Sequence, residues 1–194
     1  ARWTAERLRS LGGRVTSHPN DQDLGETVIA EIPGMDPAGP VLLCIGHMDT
    51  VFEEGTADAH PFEIQAGIAT GPGVTDMKSG LLAGLYAIAA LRMALGGLPL
   101  AKLIFVANPD EEIGSPVSSP HIRRLAAGVD ACLVLECARA NGDIVSSRKG
   151  NLDLVITVTG RAAHAGVEPE KGRSAILEAA RIVTELHALN GRWP

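Results

Sequence analysis

The sequence is poor in features that define several classes of protein. Aromatic residues make up only 3% of the 194 residues, so a core must be built mainly from Ala, Leu, Val and Ile. The three cysteines are an odd number without regular spacing, which is not typical of a disulfide scaffold. Acidic residues outnumber basic ones, 23 to 17, which argues against a nucleic-acid partner. No apolar run is long enough to span a membrane, so a membrane partner is not predicted either.

The rest of the composition is ordinary for a globular protein, with 45% hydrophobic and 21% charged residues. Cys44 and Cys132 lie inside apolar runs, which predicts that both are buried. The chain begins at Ala1 without Met and stops at Pro194. We expect an N-terminal portion of a longer protein, and we favour the cytoplasm slightly over the periplasm as its compartment.

Apolar runs of strand length alternate with helical segments, a pattern that predicts an α/β fold with a mainly parallel sheet and flanking helices. The segment 80–95 is apolar almost all round and predicts a helix buried on every side. From 152 to 159, apolar and polar residues alternate, which predicts a half-exposed antiparallel strand, and a helix is expected over about 173–189. We place a domain boundary near Lys149, giving a first domain over 1–149 and an incomplete second unit over 150–194.

Potential metal ligands follow three of the predicted strands. In an open α/β sheet, ligands bind at the edge where parallel strands end, so these side chains are expected to meet there. Adjacent carboxylates repel one another, and several in one place require a cation or a raised pKa. The sequence therefore predicts a site for more than one metal ion, built from His47 and Asp49 after the first strand, Asp110, Glu111 and Glu112 after the second, Glu136 after the third, and Asp76 in a glycine-rich loop.

Each of these signals has a plainer interpretation when it is taken alone. The pair His47 and Asp49 can be a loop histidine beside a solvated acid, and Asp76 can simply favour a helix N-terminus. The acidic triplet that begins at Asp110 can be a solvated loop, and His164 can be an exposed loop histidine. Four signals contain an acid: the pair with Asp49, Asp76, the triplet from Asp110, and Glu136. Their occurrence together on one α/β pattern favours a metal site over four unrelated acids.

Taken in order, these segments resemble the di-zinc exopeptidase family of glutamate carboxypeptidase, aminoacylase and succinyl-diaminopimelate desuccinylase, with the glutamate carboxypeptidases most similar. The matching segments are 46–51, 71–78, 110–115, 135–136 and 160–166, the last of which matches the start of the family's lid domain. The resemblance implies a zinc exopeptidase-like fold for 1–149 and the start of an α+β lid and dimerisation domain for 150–194.

The resemblance also implies metal ligands. His47 and Glu136 would bind one zinc, Glu112 would bind the other, and Asp76 would bridge both. The family commonly has a cis peptide after the bridging aspartate, here between Asp76 and Met77.

Further roles are implied for residues that do not bind metal. Glu111 would be the general base toward a metal-bridging water, and Asp49 would orient His47. His164 would reach the active site of the partner subunit in a homodimer. The reaction implied is hydrolysis of an amide bond next to a free carboxylate, in a small peptide or an N-acyl-amino acid.

One part of the family pattern is missing. The family's second zinc takes a further histidine from a His-Gly segment near the C-terminus, and this chain has no such segment. Three alternatives therefore stay open: a catalytically incomplete metal- or ligand-binding fragment of the same fold, a Mg- or Mn-dependent phosphohydrolase, and a structural dimerisation unit with incidental acids.

Overall fold

The computed structural model of the protein describes residues 1–150 and 152–192. They divide into two units, Ala1–Ile144 and a second that begins at Val145. The elements of the first unit are listed here in chain order: α1 (Arg2–Ser10), β1 (Arg14–His18), β2 (Thr27–Pro33), β3 (Val41–His47), α2 (Thr56–Ala59), β4 (Glu63–Gln65), β5 (Ile68–Thr70), α3 (Ser79–Leu95), β6 (Lys102–Asn108), α4 (Ser119–Ala126) and β7 (Ala131–Val134).

Five strands form one mixed sheet in the order β1-β2-β6-β3-β7, and β4 pairs with β5 as a separate hairpin. β3 is parallel to both β6 and β7, whereas β2 is antiparallel to β1 and β6. The prediction of a mainly parallel sheet is therefore only half right, and β1 was not predicted at all. The three parallel strands are the ones whose ends carry the predicted ligands.

Helices cover both faces of this sheet. Alternate residues of the central strands face α1 and α3, and Leu8, Leu85 and Phe105 belong to one buried cluster on this side. The other residues face α4, where Ile122 lies against Val106. This alternation explains the continuous apolar runs, because both faces of the strands are buried.

The helix α3 is buried along one face only, through Leu81, Gly84, Leu85 and Ile88. The prediction that it is buried on every side is wrong, since Met93 is 89% exposed and Tyr86 is 63% exposed. The sheet contacts one stripe of the helix. Among the described residues of the first unit, nothing buries the rest of its surface.

One helical segment among the described residues, 74–95, is long and apolar enough to cross a membrane by length and composition. The prediction that no segment reaches that length is therefore wrong. One face of this segment, which includes the fully buried Leu85, packs against the sheet, and a helix of a soluble protein can meet the same criterion. The absence of a membrane partner stays a prediction.

The second unit contains a 3₁₀ turn at Pro169–Lys171 and helix α5 at Ala175–His187. Ser174 caps α5, since its hydroxyl oxygen accepts a hydrogen bond from the Leu177 amide at 3.1 Å. The strand predicted over 152–159 is not formed in the described residues, where only a single bridge joins Arg161 to Arg173. A strand needs a hydrogen-bonded neighbour, and alternation in the sequence does not supply one.

Candidate metal centre

The ends of the three parallel strands bring the predicted ligands to one edge of the sheet. His47 is the last residue of β3, and it pairs in register with Asn108 at the end of β6. β7 lies on the other side of β3, and Glu136 follows it by two residues. Because strand pairing fixes these positions, the acidic loop after β6 and the acid after β7 flank a single histidine.

The loop before α3 delivers Asp76 to this histidine. Gly73 has φ +71°, and the chain then kinks within Val74–Lys78, where Asp76 and Met77 have non-helical backbone angles. The peptide bond between Asp76 and Met77 is cis, as the resemblance implied. Met77 is buried at 1% exposure, and its sulfur accepts a hydrogen bond from the His47 amide at 3.1 Å. The loop therefore places an acid beside the histidine ring and a thioether behind its backbone.

Close contact between α3 and the end of β7 completes the arrangement. A Cβ added at Gly80 would lie 1.7 Å from the carbonyl oxygen of Leu135, and one added at Gly84 would lie 2.6 Å from the Leu135 side chain. Glycine is therefore required for the first turn of α3 to approach this backbone. The approach brings Asp76, which precedes α3, next to Glu136, which follows Leu135.

The His47 ring lies between acceptors on both sides. Its Nδ1 lies 3.1 Å from the backbone carbonyl oxygen of Asp49, so Nδ1 must carry a proton that it donates. Its Nε2 lies 3.0 Å from Asp76 Oδ1 and 3.7 Å from Glu136 Oε1. A neutral ring protonated on Nδ1 therefore directs the lone pair of Nε2 toward two carboxylates. This repulsion is removed only when a second proton or a cation lies between them.

These atoms fit a zinc ion. Ligand atoms of His47, Asp76 and Glu136 all lie within 4.8 Å of one another. Tetrahedral zinc with bonds of about 2.0–2.2 Å has ligand atoms about 3.3–3.5 Å apart, which the distances of 3.0 and 3.7 Å bracket. One imidazole nitrogen with carboxylate oxygens is also a common ligand set for zinc. The three residues are thus a candidate metal centre, and the other predicted ligand, Glu112, lies outside this group.

Glu111 and Glu112 lie on a single 3₁₀ turn, Glu111–Ile113, immediately beyond β6. Burial is the largest cause of the raised pKa of Glu112 and of Glu136, and the negative charge of Glu111 adds to both shifts, so its carboxylate lies within electrostatic reach of the cluster. Glu111 is exposed, whereas Glu112 is half-buried. Adjacent acids therefore occupy different environments.

Asp49 connects the histidine to this turn. Its Oδ2 accepts a hydrogen bond from the Glu112 amide at 3.0 Å. Its Oδ1 lies 3.3 Å from His47 Nδ1, but the hydrogen bond of the ring goes to the backbone carbonyl oxygen of Asp49 instead. Asp49 therefore hydrogen-bonds to the His47 ring through its backbone and not through its carboxylate as predicted, and the carboxylate binds the Glu112 amide, which the sequence did not indicate.

Electrostatics of the cluster favour uptake of positive charge. Burial acts to lower the pKa of His47, but the hydrogen bond to Asp76 and the charges of Asp49 and Glu136 outweigh it, so this pKa is raised. Burial raises the pKa of Glu136, as do Asp76 and the acids of the 3₁₀ turn, against the opposing effect of His47. Burial and the Asp76 charge likewise raise the pKa of Glu112. A bound cation would relieve all of these repulsions.

His164 belongs to the second unit, where its Nδ1 accepts a hydrogen bond from the Gly166 amide at 3.1 Å. Its backbone carbonyl oxygen accepts from the amides of Val167 and Glu168. In the neutral ring the proton is therefore on Nε2, which is free to donate from an exposed side chain.

Two residues of this region make contacts that the sequence did not indicate. Met77 lies behind His47, and the only signal for it was an apolar residue inside a polar glycine loop. Asp110 is fully buried at the start of the acidic loop and accepts backbone hydrogen bonds from Val117 and Ser118. Its signal was its place directly after a buried strand, where an acid must find partners.

Comparison with known proteins gives a family match over most of the chain. Residues 43–189 match the model of peptidase family M20/M25/M40. Carboxypeptidase G2 of Pseudomonas sp. is 33% identical over 178 residues, which cover 91% of this chain and 42% of that protein. Succinyl-diaminopimelate desuccinylase of Dechloromonas aromatica is 32% identical over 160 residues, which cover 77% of this chain and 42% of that enzyme. The chain thus spans less than half the length of these relatives.

Solved structures show the same fold. Aminopeptidase PepT of Bacillus cereus superposes with a TM-score of 0.67 at 22% identity, covering 94% of this chain and 49% of that one. Human carnosine dipeptidase 1 superposes with a TM-score of 0.56 at 26% identity, covering 69% of this chain and 31% of that one. These likenesses confirm the predicted α/β fold of the zinc exopeptidase type.

Proposed function

The chain belongs to peptidase family M20/M25/M40, and on that premise we propose that the protein is a zinc-dependent hydrolase of amide bonds next to a free carboxylate. The observation that carries the proposal is the position of His47 Nε2, which lies 3.0 Å from Asp76 Oδ1 and 3.7 Å from Glu136 Oε1, where either a second ring proton or a cation must sit between the nitrogen and the carboxylates. A divalent cation satisfies all three groups. Glu111 remains exposed beside this cluster and free to exchange protons.

Zinc in this position would lower the pKa of water to about 7 and polarise the scissile carbonyl. Glu111 takes the proton from the attacking water and passes it to the leaving amine. Asp49 holds the Glu112 amide through Oδ2 and the His47 ring through its backbone carbonyl oxygen, so it fixes two proposed ligands. Glu112 would hold a second zinc, and Asp76 would contribute to holding both ions.

The second unit is proposed to act on the partner subunit of a homodimer. The hydrogen bond from the Gly166 amide holds the His164 ring with Nε2–H directed away from its own loop. Such a donor stabilises the oxyanion that forms as the amide carbonyl is attacked. A dipeptide or an N-acyl-amino acid with a free carboxylate is the proposed substrate, with glutamate favoured as the amino acid released.

The proposal is tested by zinc analysis and hydrolysis assays on the full-length protein. We expect Glu111→Ala to keep zinc at wild-type stoichiometry and to lose turnover of an N-acyl-glutamate. The matched control is Glu6→Ala, which removes an exposed acid from α1 and should change neither quantity. Hydrolysis that persists in Glu111→Ala would contradict the assignment of the base. A protein that holds no zinc would contradict the proposed function itself and favour a binding fragment.

A further inference from the structure

Asp110 is a carboxylate with no exposed surface at the start of the loop that carries Glu111 and Glu112. Its Oδ2 accepts hydrogen bonds from the amides of Val117 at 2.7 Å and Ser118 at 3.0 Å. Its backbone carbonyl oxygen accepts a further bond from the Ser115 amide at 2.7 Å. One residue therefore joins the end of β6 to the other end of the loop, at the start of α4.

The loop is also held at Glu112, whose amide donates a hydrogen bond to Asp49 Oδ2 at 3.0 Å. The turn Glu111–Ile113 is a single 3₁₀ turn closed by a bond from the Gly114 amide to the Glu111 carbonyl. Such turns are not stable by themselves. Gly114 and Ser115 both have positive φ, +87° and +57°, so the chain reverses direction immediately after the turn. The path of Glu111 and Glu112 therefore depends on the bond to Asp49 within the turn and on the anchor that Asp110 makes between the two ends of the loop.

Asp110 also binds the chain immediately before α4. Ser118 stands at the N-cap position of α4, but its side chain makes no capping hydrogen bond. The amides of Val117 and Ser118, which precede the first helical residue Ser119, both donate to Asp110 Oδ2. The other oxygen, Oδ1, is buried and has no hydrogen-bond partner among the described residues. A carboxylate held at this cost to stability is consistent with a role in placing the loop.

We propose that Asp110 is a positioning residue of the metal centre, which fixes Glu112 as a ligand and Glu111 as a base by tying the loop between β6 and α4. This inference rests on the proposed function, because it assigns Asp110 an effect on that same site. It predicts a selective defect. Removal of Asp110 should weaken the metal position that uses Glu112 and leave the ligands from β3 and β7 in place.

The test is Asp110→Ala in the full-length protein, with Asp110→Asn as the conservative variant. The amide oxygen of Asn can still accept from the Val117 and Ser118 amides. We expect Asp110→Ala to bind the second zinc about 10–100-fold more weakly, with the first zinc unchanged. We also expect kcat to fall with little change in KM, and Asp110→Asn to restore most of both. The matched control is Asp130→Asn, whose carboxylate accepts from the Val41 amide at 2.7 Å at the opposite edge of the sheet.

Hydrogen exchange in the metal-free protein gives a readout independent of activity. The Val117 and Ser118 amides should lose protection in Asp110→Ala and keep it in Asp110→Asn. Wild-type affinity for the second zinc in Asp110→Ala would overturn the inference while the proposed function stands, and equal losses in the Ala and Asn variants would overturn its hydrogen-bond basis. A wild-type protein that takes up no second zinc would instead overturn the proposed function, and the role of Asp110 with it.

Discussion

Gly80 is a position where a single added methyl group should disturb the geometry of the metal centre although the residue is not itself a proposed ligand. A Cβ there would lie 1.7 Å from the carbonyl oxygen of Leu135. That oxygen is backbone, and the Leu135 amide is itself bonded to the Ile45 carbonyl at 2.8 Å, so it cannot rotate away. In Gly80→Ala the first turn of α3 must therefore move from the sheet by more than an ångström.

This movement of α3 changes the separation of two proposed ligands. Asp76 lies four residues before Gly80, and Glu136 directly follows Leu135. Overpacking of this kind costs about 1–3 kcal/mol in free energy of unfolding. Misplacement by about 1 Å at a reacting centre costs about 100-fold in rate. We expect Gly80→Ala to lose about 2 kcal/mol of stability and to bind zinc at least about tenfold more weakly.

Urea unfolding of the metal-free protein measures the first quantity, and zinc titration against a competing chelator measures the second. The control is Gly128→Ala, because a Cβ at Gly128 meets nothing within 4 Å. If Gly80→Ala matched the control in both measurements, the close approach of α3 to Leu135 would not be what assembles the site.

Three further predictions follow from the site and the thiols. Glu136→Ala should lose the first zinc while the fold persists by circular dichroism, and elemental analysis showing full zinc content would contradict its role as a ligand. The raised pKa values of His47, Glu112 and Glu136 mean that the metal-free protein loses stability as pH rises through them. Zinc should therefore raise the melting temperature more at pH 7 than at pH 5, and an increase independent of pH would refute this. Burial raises the pKa of Cys44 to about 11, so iodoacetamide at about pH 8 should label the exposed Cys137 and spare Cys44, as peptide mass mapping would show.

The sequence predicted the ligand-bearing part of the fold well, and the reason is physical. A strand that is buried on both faces needs a continuous apolar run, and the run must end where polar side chains meet solvent or metal. The strands that end at His47 and shortly before Asp110 could therefore be predicted from the positions of apolar runs in the sequence. The helix bounds at Ser79 and Leu95 follow similarly from a glycine-rich loop on one side and Gly96 on the other.

The direction of the strands could not be predicted in the same way. β2 is buried on both faces like β3, yet it runs antiparallel to its neighbour β6. Burial gives the same apolar run in either direction, so β2 and the edge strand β1 carry no sign of their orientation. Cys132 was predicted to be buried for the same reason, and it is exposed because β7 is the edge strand of the described sheet.

The contacts that fix the site were also invisible, because each joins residues far apart in the chain. The bond from the Glu112 amide to Asp49 spans 63 residues, and nothing in either segment indicates the other. The sequence pattern instead assigned the Asp49 carboxylate to His47, its neighbour by two residues. Spacing within a motif thus identifies candidate ligands, whereas the hydrogen bonds that aim them depend on the packed structure.

The loop that carries Glu111 and Glu112 is held from two sides, by Asp49 and by Asp110. Asp49 holds the Glu112 amide from β3, and Asp110 holds the far end of the loop at Ser118. If the two carboxylates act on one rigid turn, loss of either frees the same glutamates, and loss of both does little more. The double variant Asp49→Ala with Asp110→Ala should therefore weaken the second zinc by less than the product of the single effects, with a coupling energy of about 0.5–3 kcal/mol. Chelator competition on the four proteins of the cycle measures that coupling, and strictly additive effects would mean that the two acids act on the site independently.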